Sequence, residues 1–121
     1  MTVENWPDYL KGMDGKLGKL RPEVPEIMKG FGAIAKSAIS EGALDSKTKE
    51  LMALAVGIAA RCDGCLGYHT KAAIKYGATR EEITETIGVA IYMGGGPSLM
   101  YGAEALAAFD AFSKQQANET L

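Results

Sequence analysis

Apolar side chains recur at intervals of three and four residues along much of this chain, a spacing that gathers them on one face of an α-helix. Ile27, Phe31 and Ile34 follow Pro25 in this way and predict a helix over residues 25–40. No segment shows the sustained alternation of apolar and polar residues that is typical of a half-buried strand. The pattern therefore predicts an all-α fold.

Residues that favour helix starts locate two further helices in the first half of the chain. Pro7 suits the first position of a short N-terminal helix, because its fixed φ matches the helix and its missing N–H is not needed there. Asp45 or Ser46 suits the N-cap of a helix over residues 47–60, since either side chain accepts a hydrogen bond from a free amide.

The second half of the chain contains a cap and a break that divide it into helices. Thr79 and Glu82 have the spacing of a capping box, which predicts a helix over residues 81–93. The glycines and proline at 94–97 then break or kink the chain before a last helix. Together with a helix over about residues 62–76, these elements give about six helices.

A chain of 121 residues is expected to form one main domain. We expect residues 1–20 to be an N-terminal helical extension, residues 21–113 to be the helical domain, and residues 114–121 to be a frayed polar tail.

The predicted helix over 47–60 is apolar on every face in its second half. A helix of this kind must be covered on all sides. A single copy of so short a chain has too few other helices to do this, so we expect a homo-oligomer.

Composition and charge exclude several classes of function. The net charge of −2 gives no basic footprint for nucleic acid or for an anionic membrane. The first ten residues lack the basic start and apolar stretch of a signal peptide, and the longest nearly apolar run, residues 51–60, is about half of what a membrane span needs. A cytoplasmic location is therefore expected, with neither nucleic acid nor membrane as a partner.

The candidate chemistry lies in a CxxC pair, Cys62 and Cys65, at the start of a predicted helix. This spacing brings two sulfurs within reach of a disulfide, and the free amides of a helix start stabilise a thiolate. His69, the one histidine of the chain, follows Cys65 by four residues and so shares its helical face. Glu50 lies on the preceding helix, where it reaches the pair only if the two helices pack with a suitable offset. The four residues favour thiol-disulfide redox chemistry.

Two other interpretations of the same residues stay open. Zn²⁺ accepts a ligand set of Cys62, Cys65, His69 and Glu50, although zinc sites more often have a second cysteine pair. Alternatively, the cysteines are inert parts of a helical core. Haem attachment does not fit, because Leu66 and not histidine follows the second cysteine.

The motif Glu50, eleven residues, CxxC, three residues, His69 resembles that of the carboxymuconolactone decarboxylase and alkylhydroperoxidase D-like family. The similarity extends to the segments Lys71-Ala72-Ala73, Gly77 to Ile83 and Ala90 to Gly95, and covers roughly residues 22–112.

This resemblance implies a helical bundle like that of alkylhydroperoxidase D, with a helical hairpin that carries the CxxC pair, assembled as a trimer or a hexamer. It also implies a peroxidase in which Cys65 is the attacking thiolate, Cys62 resolves it, and His69 and Glu50 relay the proton. The implied partners are a small hydroperoxide and an external dithiol, lipoyl- or thioredoxin-like, with no cofactor and no metal.

One residue departs from the pattern of the peroxidase branch. Alkylhydroperoxidase D has a second histidine between its cysteines, where this chain has Gly64, and the resemblance therefore implies a weaker relay. The decarboxylase branch lacks the CxxC pair, so lactone decarboxylation is not expected.

Overall fold

A computed structural model describes residues 3–119 of the chain, which form six α-helices and, within that range, no β-strand. The all-α prediction and the number of helices are confirmed. The helices are α1 (Trp6–Leu20), α2 (Pro25–Ile39), α3 (Ser46–Ala59), α4 (Asp63–Lys75), α5 (Arg80–Gly94) and α6 (Gly96–Glu119). None of these described helices is both long enough and apolar enough to cross a membrane.

Local caps define the helix starts much as predicted. The Asp45 side chain accepts a 2.7 Å hydrogen bond from the amide of Thr48 at the start of α3. At the start of α5, Thr79 and Glu82 form the reciprocal capping box. The break after α5 falls at Gly95, whose φ of 72° is a left-handed conformation that glycine adopts without steric cost.

Helices α3 to α6 enclose the core, and α3 and α4 pack together as a helical hairpin. The side chains with no exposed surface include Leu54 and Ile58 of α3, Leu66 of α4 and Ile83 of α5. Two pairs join the helices at the periphery: Lys47 of α3 with Glu82, and Arg80 of α5 with Asp110. The CxxC turn joins α3 to α4 at one end of this hairpin.

The N-terminal helix α1 is a full helix of 15 residues and not the short one expected. Its Trp6 and Leu10 are buried against α4, where a side chain on Gly67 would come within 2.7 Å of Leu10 Cδ2. The phenol of Tyr68 on α4 donates a hydrogen bond to Asp14 of α1. These contacts, and not intrinsic helix propensity, hold a segment that is rich in glycine.

Helix α2 contributes nothing to the core of the protomer. It has no buried residue, and its apolar Ile27, Phe31 and Ile34 are each more than two-thirds exposed. Its C-terminal end is fixed to α3 by two hydrogen bonds, from Ser46 Oγ to the Ile39 carbonyl at 2.8 Å and from Lys49 Nζ to the Ser40 carbonyl at 2.6 Å. An amphipathic helix in this position presents its apolar face to the outside.

The expectation of a frayed tail from residue 114 is wrong for the residues that the structure describes. Helix α6 continues to Glu119, with Phe112 buried against the core two residues before the polar segment. Adding residues to an existing helix requires no new nucleation, and Lys, Gln and Glu have good helix propensity. Residues 120 and 121 of the expected tail, and residues 1 and 2 of the N-terminal extension, lie outside the described residues.

Candidate active site

The turn between α3 and α4 positions the cysteine pair. The Arg61 amide donates to the Ile58 carbonyl at 3.1 Å, and the Cys62 amide donates to the Gly57 carbonyl at 3.0 Å. This is the hydrogen-bond pattern of a Schellman motif, which closes a helix through one residue in the left-handed conformation. Here that residue is Arg61, with φ 57°. The motif ends α3 and turns the chain directly into the first cysteine.

Cys62 is the N-cap of α4, and its Sγ accepts a hydrogen bond of 3.2 Å from the amide of Cys65. The two sulfurs are joined in a disulfide, with Cα atoms 5.2 Å apart. Both cysteines are partly exposed. Solutes can therefore reach the disulfide, and a thiolate on Cys62 would receive the amide that now contacts its sulfur.

Cys65 lies directly against α3 because Gly57 has no side chain. A Cβ at position 57 would lie 2.8 Å from the Cβ of Cys65, closer than real side chains approach one another. Helices α3 and α4 therefore approach each other closely at this point, with no side chain from α3 between them. Sequence reasoning missed Gly57, which reads as an ordinary member of an apolar run, and only the packing of the hairpin reveals its part.

The hairpin also brings Glu50 into direct contact with His69. The Nδ1 atom of His69 lies 2.7 Å from Oε1 of Glu50. The carboxylate side chain is only 9% exposed, whereas the imidazole is 34% exposed. Because a carboxylate only accepts hydrogen bonds, the contact places a proton on Nδ1, and in the neutral imidazole Nε2 then carries the lone pair.

The four residues predicted as the site therefore lie on two packed helices. Cys62 and Cys65 are bonded to each other, and His69, one turn after Cys65 on α4, is bonded to Glu50 on α3. An imidazole oriented by a carboxylate is the arrangement that serves as a general base or acid. The catalytic roles of the four residues stay predictions.

Tyr68, next to His69 in sequence, has a packing role. Burial, reinforced by the hydrogen bond to Asp14, raises the pKa of Tyr68 to about 12. The phenol is therefore firmly protonated at neutral pH and is tied to Asp14 of α1.

No three His, Cys, Asp or Glu side chains among residues 3–119 are arranged as the ligands of a metal ion would be. In the disulfide state the two sulfurs are not thiolates, and thiolate is the form that binds Zn²⁺. The arrangement as it stands is that of an oxidised dithiol beside an imidazole–carboxylate pair.

The fold and the cysteine pair together define an all-helical protein with a redox-capable disulfide at a helix start. The sequence profile of the Carboxymuconolactone decarboxylase family matches residues 25–108, more than half of the chain. The chain belongs to this family. The match includes all four residues of the site and the whole of α2 to α5.

Solved structures agree with this assignment. A carboxymuconolactone decarboxylase family protein from Legionella pneumophila superposes with a TM-score of 0.86 and 53% sequence identity, over 89% of this chain and 96% of that one. A family member from Thermotoga maritima, for which involvement in an antioxidative response has been suggested, gives a TM-score of 0.82 at 26% identity, over 93% and 97% of the two chains.

A relative found by sequence comparison also matches most of this chain. An uncharacterized protein of Cupriavidus necator is 38% identical over 104 residues, which is 86% of this chain and 92% of that protein. The prediction of the family from the Glu50-to-His69 motif is thus confirmed.

Proposed function

We propose that the protein is a thiol-dependent hydroperoxide reductase in which Cys62 and Cys65 cycle between dithiol and disulfide. The single observation that carries this proposal is a solvent-reachable CxxC disulfide one helical turn from an imidazole fixed by a buried carboxylate. The antioxidative role suggested for the Thermotoga relative is consistent with it.

In the proposed cycle His69 accepts the thiol proton of Cys65, and the resulting thiolate attacks the terminal oxygen of a hydroperoxide. The O–O bond breaks, Cys65 becomes a sulfenic acid, and the leaving alkoxide takes the proton from His69 to form the alcohol. The Cys62 thiol then condenses with the sulfenic acid, releasing water and forming the disulfide. An external dithiol, lipoyl- or thioredoxin-like, returns two electrons and two protons to the cysteines.

The direct test is peroxide consumption with a dithiol as reductant. Wild-type protein is expected to turn over, and Cys65→Ser to lose the activity because no thiolate remains beside His69. A Cys65→Ser protein that consumes peroxide at the wild-type rate would remove the proposal. Lys36→Met on the exposed helix α2 is a suitable control, since it changes a surface charge on a helix that does not carry the cysteines.

The assignment of roles to the two sulfurs needs its own test. The family resemblance makes Cys65 the attacking sulfur, whereas the helix-start amide contacts Cys62. With one cysteine replaced by serine, the remaining one cannot form the intramolecular disulfide, and a sulfenic acid can be trapped with a carbon nucleophile. We expect trapping in Cys62→Ser and little in Cys65→Ser; the opposite result would reverse the roles.

We also propose that the protein assembles with further copies of itself as a trimer or hexamer. The apolar faces of α2 (Ile27, Phe31, Ile34) and α5 (Val89, Tyr92, Met93) are uncovered in the protomer, with Tyr92 84% exposed. Helix faces that expose several large apolar side chains are typical of interfaces between protein chains.

The assembly is tested by light scattering on the purified chain. We expect the mass of three or six copies, and Phe31→Glu is expected to lower it while the helix content stays unchanged, because α2 has no buried residue. A wild-type protein that is monomeric at micromolar concentration would contradict the proposal.

The uncovered faces also favour a second candidate, a non-catalytic or zinc-stabilised assembly protein. That candidate predicts cysteines that react slowly with alkylating agents, or stoichiometric zinc bound to the reduced protein. A lactone decarboxylase activity is the least favoured candidate, and it would survive complete alkylation of both cysteines. The reductase predicts fast alkylation with complete loss of activity.

A further inference from the structure

A surface cavity of about 380 Å³ opens between helix α4 and the last part of helix α6. Small-molecule sites in proteins usually have volumes of about 300–1,000 Å³, so this cavity is large enough for a small organic ligand. None of the four residues of the candidate active site is among the described residues that line it. The cavity is therefore a feature of the fold that the proposed redox reaction does not use.

The cavity exists because α6 continues beyond the core as an ordered helix. Phe112 is the last buried residue of α6 in the described range, and Gln115, Gln116 and Glu119 line the cavity beyond it. The other wall is formed by α4, over residues 68–75. A frayed tail in place of the last turns of α6 would leave this part of α4 without a second wall.

The floor of the cavity is apolar. Tyr68, Ala72 and Ile74 of α4 are partly buried, and Phe112 of α6 is only 3% exposed. The hydroxyl proton of Tyr68 is already donated to Asp14 of α1, so Tyr68 has no free donor for a ligand. A hydrocarbon chain that covers this floor removes apolar surface of both partners from water, which favours binding.

Two lysines, Lys71 and Lys75, add positive charge to the α4 wall of the cavity. Both are exposed, and their spacing of four residues places them on one face of the helix. Neither ammonium group forms an ion pair with any residue in the range 3–119, where the ion pairs join other residues. Like charges at this spacing destabilise a helix, and an anion placed beside both relieves the repulsion.

The charges of the lining favour an anionic ligand. Two lysines, Lys71 and Lys75, stand against one acidic residue, Glu119, among the described residues that line the cavity. The side-chain amides of Gln115 and Gln116 can donate hydrogen bonds without adding charge. An apolar floor beside a cationic wall is complementary to a molecule that has a hydrocarbon body and one negative group.

We propose that this cavity binds a small aliphatic carboxylate, with its hydrocarbon chain on Tyr68, Ile74 and Phe112 and its carboxylate beside Lys71 and Lys75. Exposed lysines alone hold an anion weakly, because water and salt screen the attraction. The apolar floor supplies the additional affinity, and the two ammonium groups supply the preference for a negative charge. This binding goes beyond the proposed reductase activity, since it involves no electron transfer.

The test measures the binding of octanoate to the purified protein by isothermal titration calorimetry at low salt. Octanamide keeps the chain and loses the charge, whereas acetate keeps the charge and loses most of the chain. We expect one octanoate site per chain, with affinity about fivefold higher than for octanamide, as two exposed charge pairs would give. Acetate should show no saturable binding at the same concentrations. The preference for octanoate over octanamide should disappear in about 0.5 M salt.

Four variants locate the site. Lys71→Gln and Lys75→Gln should each lower the octanoate-to-octanamide affinity ratio to about twofold, because each removes one of the two charge pairs. Lys114→Gln is the matched control and should keep the wild-type ratio, since Lys114 is an exposed lysine of α6 that is not among the residues lining this cavity. Ala72→Leu places a larger side chain on the floor and should weaken both ligands about tenfold. Circular dichroism checks that each variant keeps its helix content.

The outcomes distinguish this site from the disulfide. The double variant Cys62→Ser/Cys65→Ser should bind octanoate with wild-type affinity, and loss of binding there would place the ligand at the cysteines and overturn the proposal. Absence of saturable octanoate binding, equal affinities for octanoate and octanamide, or a wild-type ratio in both lysine variants would overturn it and leave the reductase intact. Octanoate binding that is weakened by the lysine variants and by Ala72→Leu, but not by Lys114→Gln, supports it.

Discussion

Nδ1 of His69 lies 2.7 Å from Oε1 of Glu50, and this contact joins the two helices of the hairpin next to its disulfide. The carboxylate is almost fully buried, and the imidazole reaches the surface. Glu50 thereby fixes both the orientation of the ring and the position of its proton. A freely rotating histidine at the same position would present the basic nitrogen to the thiols only part of the time.

Glu50→Gln should therefore slow the reaction with peroxide by about tenfold or more, and His69→Gln by about a hundredfold, in the range for a positioned general base and its supporting group. The measurement is the rate of thiol loss after mixing reduced protein with hydroperoxide. Glu82→Gln is the control, because Glu82 pairs with Lys47 and not with the histidine. A Glu50→Gln rate equal to that of the control would show that the contact is only structural.

Gly57→Ala should destabilise the fold by about 1–3 kcal/mol, because the new methyl group would lie 2.8 Å from Cys65 Cβ and force α3 and α4 apart. Denaturant unfolding of the oxidised protein measures the change. Gly88→Ala in α5 is the matched control, since nothing lies within 4 Å of its added Cβ. That change should be neutral or should stabilise by about 0.5–1 kcal/mol through helix propensity. Equal effects of the two substitutions would contradict the close packing at Gly57.

Tyr68 should make stability fall at alkaline pH. Burial and the Asp14 hydrogen bond raise its pKa to about 12 in the folded state, above the ordinary tyrosine pKa of 10.0. Because the folded-state pKa is raised, the neutral phenol's contribution is complete below pH 10 and is lost as the pH rises towards 12. Tyrosinate absorbance in the wild type should include one late step that is missing from Tyr68→Phe. If the Tyr68 phenol instead titrates at the ordinary tyrosine pKa, α1 does not hold it.

The Glu82 carboxylate should stabilise the fold at neutral pH and lose this effect in acid. Its hydrogen bond to Lys47, together with that to the Thr79 amide, lowers the pKa of the Glu82 carboxyl below the ordinary glutamate pKa of 4.5. Because the folded-state pKa is lowered, the stabilisation by the Glu82 carboxylate is complete above the unfolded-state pKa and is lost as the pH falls through the folded-state pKa. Acid unfolding of Lys47→Met should begin at higher pH than that of the wild type. Identical acid transitions would show that the exposed pair adds nothing.

Thr79→Ala should lower the free energy of unfolding by about 1 kcal/mol, because the capping hydroxyl accepts a 3.1 Å hydrogen bond from the Glu82 amide. Thr79→Ser keeps the hydroxyl and should lose little. Thermal or denaturant unfolding distinguishes the two, and equal losses would mean that the methyl group and not the cap is responsible.

Much of the fold could be predicted from the sequence because helix starts are local. The capping box of Thr79 and the break at Gly95 depend on a few neighbouring residues, and both are found where the sequence indicates. The end of α6 was missed because polar residues after Phe112 read as a tail, although an existing helix extends through them at little cost.

The site was predictable in its residue types but not in its geometry. The spacing of Cys62, Cys65 and His69 is a property of one helix, so it is visible in the sequence. The contact between Glu50 and His69 depends on the relative offset of α3 and α4 and on their close approach, which the absence of a side chain at Gly57 permits. No local pattern encodes that offset. The left-handed conformation of Arg61 was equally hidden, because glycine and not arginine is the usual signal for it.

The most direct test of the account is the mass of the reduced protein after one equivalent of hydroperoxide. The account predicts that the chain loses two hydrogen atoms, that the loss maps to a Cys62–Cys65 disulfide, and that one equivalent of alcohol appears. Reduced cysteines that remain fully alkylatable after peroxide has been added, with no alcohol formed, would contradict the central claim.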